Sequence, residues 1–427
     1  MDRSRIVLNT EISSTNMGTI DVTTPKLYLN GIPHERFERM RSTPGLIWHP
    51  YEANGFWAVT RHADVQEVSK APNLFSSAIG HTNLWDLEAD ALKARRSMID
   101  SDAPHHRQLR RIVSRMFTPK NVLLWEARTR EIASELLDQF IDRGGGDWVE
   151  LVAAPLPIRV ILAILGVPLE DGEYLVELTN YLVEGTGDRP TLPDDAFGNT
   201  TPVRLLPFSS PASHALFKYA QRMGELRKRE PRNDLITRLI SAKIDGEHLS
   251  EAEFRNFFQL LVFAGNETTR TAIVHGAMAF ADHPDQWHAL ASRHSLMDTA
   301  IDEILRYSTP VLHMRRTASE DTELAGTPIK QGDKVVMWYA SANWDESVFV
   351  QPHRFDITRR KNPHFSFGGG GPHFCLGAFL ARMEIRVLLE EMFRRELRLV
   401  RTADPIRTAS NFVHGVLSVD MMPGKLA

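Results

Sequence analysis

The stretch from Ser250 to Pro284 limits the fold more than any other part of the chain. It opens on Ser250 and Glu253, the spacing of a capping box in which each residue serves the other's backbone N–H. It then runs FRNFFQLLVFAGNETTRTAIVHGAMAFADH with no proline. More than thirty residues at about 1.5 Å each give a rod of roughly 50 Å, enough to cross a whole molecule. Its middle is apolar on most sides, which predicts burial all round. Gly265, Asn266, Glu267, Thr268 and Thr269 interrupt that middle. Glycine and threonine are poor helix formers. The Thr268 hydroxyl can bond the carbonyl four residues back, at Ala264, and bend the helix. Glu267 has two readings: an ion pair with Arg270 on a solvated face, or a buried carboxylate, costly unless paired or used.

Around this rod the pattern is mostly helical. One helix is expected from Trp125 to Arg143, closed by Gly144 to Gly146, and another from Leu156 to Leu165, ended by Gly166 and Pro168. Strand signals are few: GFWAVT at 55–60, DKVVMWYA at 333–340, and shorter pieces near 311–317 and 412–419. The fold class is therefore mainly α with small β-sheets. The region from Gly185 to Ser213 is rich in Pro, Gly, Asp and Thr. Helices resume on both sides without a change in composition, so we read 181–213 as a lid and not as a linker. Residues 1–25 form a polar head without the apolar run of a signal peptide; residues 26–427 are expected as one domain. No apolar stretch reaches the roughly 18 residues of a membrane span, and the expected location is cytoplasmic. A net charge of −4 shows no basic excess for nucleic acid.

One segment is chemically unusual. HFSFGGGGPHFCLGAFLARMEIR, from His364 to Arg386, holds the only cysteine, Cys375, after four consecutive glycines, Gly368 to Gly371. A lone cysteine forms no internal disulfide and supplies no multi-sulfur zinc or iron–sulfur site. It is either a small buried hydrophobe or a single reactive sulfur. Three further pieces are weak alone: AIDEILRYSTP, with Glu303 and Arg306 three apart; DAPHHRQLRRIVSRMF, with His106 and Arg110 on one helix face; and PHRFD at 352–356.

Taken in order, these pieces resemble a bacterial cytochrome P450 from about Pro33 to Leu417. In wording, AGNETTR and FGGGGPHFCLGA are closest to P450s that hydroxylate steroids and branched lipids. The family's signature places a glycine four before the cysteine, a basic residue two before and a glycine two after, matched by Gly371, His373 and Gly377. Its phenylalanine stands seven before the cysteine, whereas Phe367 is eight before, so the loop carries one extra glycine.

The resemblance implies a haem b cofactor, with iron held by Cys375 as axial thiolate. A thiolate pushes electron density to the iron and favours O–O cleavage. His106, Arg110, Arg316 and His373 match the haem-propionate positions, suited to carboxylates by charge-assisted hydrogen bonds. Glu303, Arg306 and Arg354 match a buried structural network. Glu267 and Thr268 match the acid–alcohol pair that delivers protons at the dioxygen site, while Ala264 and Gly265 would leave room there.

The implied reaction is monooxygenation of an apolar small molecule: a steroid, terpenoid or branched lipid. Candidate pocket residues are Leu84, Trp85, Phe263, Ala264, Val311, Leu312, Phe412 and Val413. The fold consumes the chain without a flavin segment, so two electrons per turnover are expected from a ferredoxin and its NAD(P)H-dependent reductase. The basic residues Arg107, Arg111 and Arg115 would receive the partner, or are a solvated helix face. A peroxide-driven haem enzyme would not need the Glu267–Thr268 pair; a non-catalytic haem sensor would need neither substrate pocket nor redox partner.

Overall fold

A computed structural model describes residues 20–184 and 202–425. Most of the expected lid, 185–201, and residues 1–19 of the polar head lie outside the described residues. The principal helices are α1 (His105–Ser114), α2 (Glu126–Asp142), α3 (Pro155–Leu165), α4 (Gly172–Glu184), α5 (Pro211–Arg229), α6 (Glu251–Asp282), α7 (Met297–Ser308) and α8 (Ala378–Arg394).

The long rod is α6, and its start follows from local chemistry. Ser250 N donates to Glu253 Oε2 at 2.8 Å, and Glu253 N donates to Ser250 Oγ at 3.2 Å. Most of its length is buried, packed against α3, α5, α7 and α8. Two glycines let the neighbours in. A Cβ on Gly265 would lie 2.9 Å from Ile161 Cγ1 of α3, and one on Gly276 would lie 3.0 Å from Ile304 Cγ2 of α7. The expectation that Gly265 leaves room for ligands is thus corrected: the direction of its missing side chain is taken by Ile161.

The strands form small sheets. The largest has the order Ile47–His49, Phe56–Val59, Lys334–Trp338, His313–Ala318, Phe75–Ser76. Only the contact between 334–338 and 56–59 is parallel. Lys334–Trp338 is buried throughout, in keeping with the apolar run from Val335 to Trp338, and Lys334 is paired with Asp86 at 2.7 Å. A two-stranded hairpin, Ile406–Arg407 with Val416–Ser418, returns the chain to α6. One large apolar core surrounds α6, and two smaller clusters line the two sides of the sheet.

The polar head was expected to extend to residue 25, but the packed structure begins earlier. Val22 is fully buried, its carbonyl accepts from Tyr28 Oη at 2.8 Å, and Asn411 donates to the Thr23 carbonyl at 2.5 Å.

Candidate active site

The cysteine loop is shaped by its glycines. Gly368, Gly370 and Gly371 have φ of 88°, 90° and 72°, a region that favours glycine. At Gly371 a side chain would also collide with the Ser69 carbonyl. The loop closes when Cys375 N donates to Phe367 O at 2.9 Å. The extra glycine therefore leaves Phe367 joined to the cysteine, with its ring 5.1 Å from the Arg382 guanidinium.

The Cys375 side chain is accessible along its own surface yet enclosed by protein, as the wall of an internal space would be. Burial pushes its thiol pKa up, while the Gly377 N–H and the Arg110 charge pull it down. Those two stabilise a thiolate, and α8 starts three residues on, at Ala378.

Four basic side chains gather beside this loop. The His106 and His373 rings lie 4.1 Å apart, and His373 Nε2 is 3.2 Å from Ser77 Oγ. Arg110 Nη2 donates to the Phe374 carbonyl at 2.6 Å. Arg316 is buried and donates only to the carbonyl of Arg315. Burial first, then neighbouring cations, pushes the histidines down, His106 to about 4 and His373 to about 2. Among the described residues no carboxylate pairs with Arg110 or Arg316. Asp102, which acts on His106 and Arg316, is already bonded to the Ser76 hydroxyl and Ser77 N–H. The cluster is two guanidinium charges and two neutral imidazoles, short of anions.

On α6 the interrupted middle has two sides. Ala264 is exposed and Gly265 and Thr268 are half-exposed, while 261–263, 266–267 and 269–270 are buried, so this edge faces open space inside the fold. Thr268 Oγ1 donates to Ala264 O at 2.9 Å, the bond expected from its position. Glu267 is buried, and Arg270 Nη1 reaches its Oε2 at 3.4 Å. The pair exists, but the solvated version of it does not: the side chains are 3% and 7% exposed. Burial raises the Glu267 pKa and Arg270 only partly opposes it. The chemistry in reach is a carboxyl that keeps its proton unusually high, next to a hydroxyl that can accept one.

Two bonds that the sequence reading missed tie this middle to α4. Asn266 Nδ2 donates to Thr179 Oγ1 at 3.0 Å, and Arg270 Nη1 donates to Asn180 Oδ1 at 2.6 Å. The adjacent polar pair Thr179–Asn180 in an apolar helix was the available signal.

The Glu303–Arg306 pair is fully buried, and the two Glu303 oxygens accept five hydrogen bonds. Arg306 supplies two, at 2.8 and 2.9 Å; Asp356 N, Arg359 Nε and Asn362 Nδ2 supply the rest, at 3.0, 3.1 and 3.0 Å. Arg354 is a correction. Its side chain is exposed and only its carbonyl takes part, accepting from Arg306 at 3.4 Å. The third charged member is Arg359, five residues on, because the turn after Phe355 swings it back over the helix.

The candidate pocket residues divide. Ala264 opens on the cavity, Trp85 and Val311 are partly accessible, and Phe263 packs on Phe208 with ring centroids 4.4 Å apart. Phe412 and Val413 are almost buried, and Val413 bridges Val311. Leu84 and Leu312 are corrected: both are fully buried in the sheet cluster with Trp338, and present no surface to a cavity.

Comparison with known proteins decides the family. The Cytochrome P450 family model matches residues 22–413. The chain is a cytochrome P450. It is 40% identical over 411 residues to a steroid C26-monooxygenase of Rhodococcus jostii (strain RHA1), covering 93% of this chain and 83% of that one. A methyl-branched lipid omega-hydroxylase of Mycobacterium bovis (strain ATCC BAA-935 / AF2122/97) is 42% identical over 387 residues, 88% of this chain and 87% of the relative. In fold, this P450 resembles a Mycobacterium marinum cytochrome P450 in complex with pseudoionone. That match has a TM-score of 0.85 and 35% identity, and covers 96% of this chain and all of that one.

Membership makes this P450 a haem-thiolate monooxygenase. The residues present fit that group. The chain has one sulfur able to act as thiolate, at the wall of an internal space, and beside it a cationic cluster lacking anions, as two propionates require. No helix among the described residues is long and apolar enough to cross a membrane.

Proposed function

We propose that this P450 hydroxylates the terminal methyl of a branched apolar chain, as on a sterol tail or a methyl-branched lipid, with electrons from a ferredoxin and its reductase. The names of both relatives place oxygen at the end of an alkyl chain, and Phe263, next to the accessible edge of α6, packs on Phe208. The observation that carries the reading is that edge, Ala264 to Thr268, in a chain whose sole cysteine lies in a loop made for a thiolate.

The geometry supports the following residue roles. Cys375 would hold the iron, with the Gly377 N–H and Arg110 offsetting its charge. His106, Arg110, Arg316 and His373 would hold the propionates. The bound haem supplies activation of dioxygen, one atom entering a C–H bond and the other leaving as water. Thr268 spends its own proton on the Ala264 carbonyl, so its lone pairs are free to order a proton donor in the cavity. Glu267, protonated more readily than an ordinary carboxyl, would feed protons to that donor.

The test has two arms. Cys375→Ser should lose the red-shifted Soret band of the reduced carbon monoxide complex; a variant that keeps it rules Cys375 out. In the parent, a sterol or a methyl-branched alcohol should convert ferric haem from low to high spin and be oxidised at its terminal methyl. Oxidation confined to ring or internal carbons would refute the positional claim.

A further inference from the structure

A cleft of about 390 Å³ lies between the C-terminal part of α6 and residues 401–407, within the size range of small-molecule sites. Its charges are unevenly matched. Both acids of the wall are turned to Arg401: Asp282 at 2.9 Å and, fully exposed at the rim, Asp404 at 3.3 Å. Arg407 has neither ion pair nor hydrogen bond among the described residues. It is half-buried, and its Nη1 is wholly shielded from solvent with no partner. Burial, then repulsion from Arg401, lowers its pKa. A shielded charge without a counter-charge is unfavourable, and an anion in the cleft would relieve it.

The rest of the wall narrows the ligand. The exposed Leu29 offers apolar surface, with Met278 and Ala279 of α6 buried behind the wall, so the cleft suits more than a bare ion. Nη1 is closed off, and the edge of the Arg407 guanidinium left for the cleft is Nε with Nη2, a fork that matches a planar carboxylate with two parallel bonds.

The floor connects to the substrate side. His275 lines the cleft, its ring lies 4.1 Å from that of His414, and its Nε2 donates to the His414 carbonyl at 3.0 Å. His414 Nδ1 donates in turn to Ser308 O at 2.6 Å, which leaves its Nε2 a buried acceptor without a partner. The two residues before His414 are Phe412 and Val413, bonded to Leu312 and bridged to Val311. We propose that this cleft is a second ligand site, taking a small monocarboxylate with an apolar body, its carboxylate paired with Arg407 and its presence transmitted through His414 to Val413 and Phe412.

The experiment uses holoprotein whose haem iron is capped by phenylimidazole, with benzoate as probe and calorimetry as readout. The parent should bind one benzoate per chain. Arg407→Gln should weaken binding tenfold or more, Arg407→Lys by less, and the uncharged isostere benzamide should bind at least tenfold more weakly to the parent. Without phenylimidazole, benzoate should change the affinity for a spin-shifting sterol in the parent and not in Arg407→Gln, since coupling between two sites acts in both directions. Equal benzoate binding by parent and Arg407→Gln, equal binding of benzamide, or no binding by the parent overturns the site. An unchanged sterol affinity overturns the transmission. Arg407→Lys keeps the charge, so full benzoate affinity in that variant would overturn the fork as the anchor even if Arg407→Gln failed to fold.

Discussion

Two glutamate–arginine pairs stand three residues apart on neighbouring helices, both buried, and they are built oppositely. Glu303 accepts five hydrogen bonds, none longer than 3.1 Å, from four residues. Among the described residues Glu267 accepts one hydrogen bond, at 3.4 Å, and its arginine is shared with Asn180 and the Val416 carbonyl. Spacing and burial are the same, so neither decides the role. The number of donors does. A fully bonded carboxylate holds in place the groups that surround it; a sparsely bonded, buried one such as Glu267 has its pKa raised and can exchange its proton.

The sharpest way to break the contrast is to remove the locked pair. Glu303→Ala or Arg306→Ala should cost about 3–5 kcal/mol, because each leaves the other charge buried alone. That is a large part of typical stability. The expected result is insoluble or haem-free protein, read from yield, haem content and melting. Soluble, haem-loaded variants with near-parental melting would make the two pairs equivalent.

Next in size is the choice between Arg354 and Arg359. Arg359→Ala removes a charged hydrogen bond and should cost about 1.5–3 kcal/mol. Arg354→Ala removes an exposed side chain whose carbonyl stays in place, and should change stability by about 0.5 kcal/mol or less. Denaturant midpoints compare them directly, and the reverse order would restore Arg354 to the network.

The smallest effect on stability, and the largest on product, is expected at the loose pair. Glu267→Gln and Thr268→Ala should fold, bind haem and bind substrate nearly as the parent does. Product formation should fall by about 10²-fold, as for a lost proton-transfer group, with NAD(P)H still consumed and peroxide released. Unchanged product per NAD(P)H would remove the proton-delivery role. The pH dependence has a definite sign. The Glu267 pKa is raised from its ordinary 4.5 in the folded protein, so folded protein holds a proton that unfolded chain has lost. The cost to stability begins as pH rises through 4.5 and is complete above the folded value. Glu267→Gln should therefore melt at or above the parent near neutral pH, and lose that advantage in acid.

What could be read from the sequence was local. The capping box at Ser250 and the Thr268 bond to Ala264 depend on neighbours within a few residues, and both appear as expected. The exchange of Arg354 for Arg359 was hidden because it depends on the path of a turn that carries no periodic signal. Leu84 and Leu312 failed for a related reason: leucine in a loop or strand does not say whether a void or another side chain lies beyond it. Arg407 was invisible, since an arginine among acids reads as paired until the fold shows that Arg401 has taken both.

The accessible sulfur of Cys375 has a practical consequence. No other thiol exists in the chain, so a maleimide has a single possible target. With the iron bound, that target is withdrawn; without it, the target is open. Counting maleimide adducts by mass spectrometry under native conditions therefore measures the fraction of molecules lacking cofactor, one label per empty molecule, without reference to any absorption coefficient.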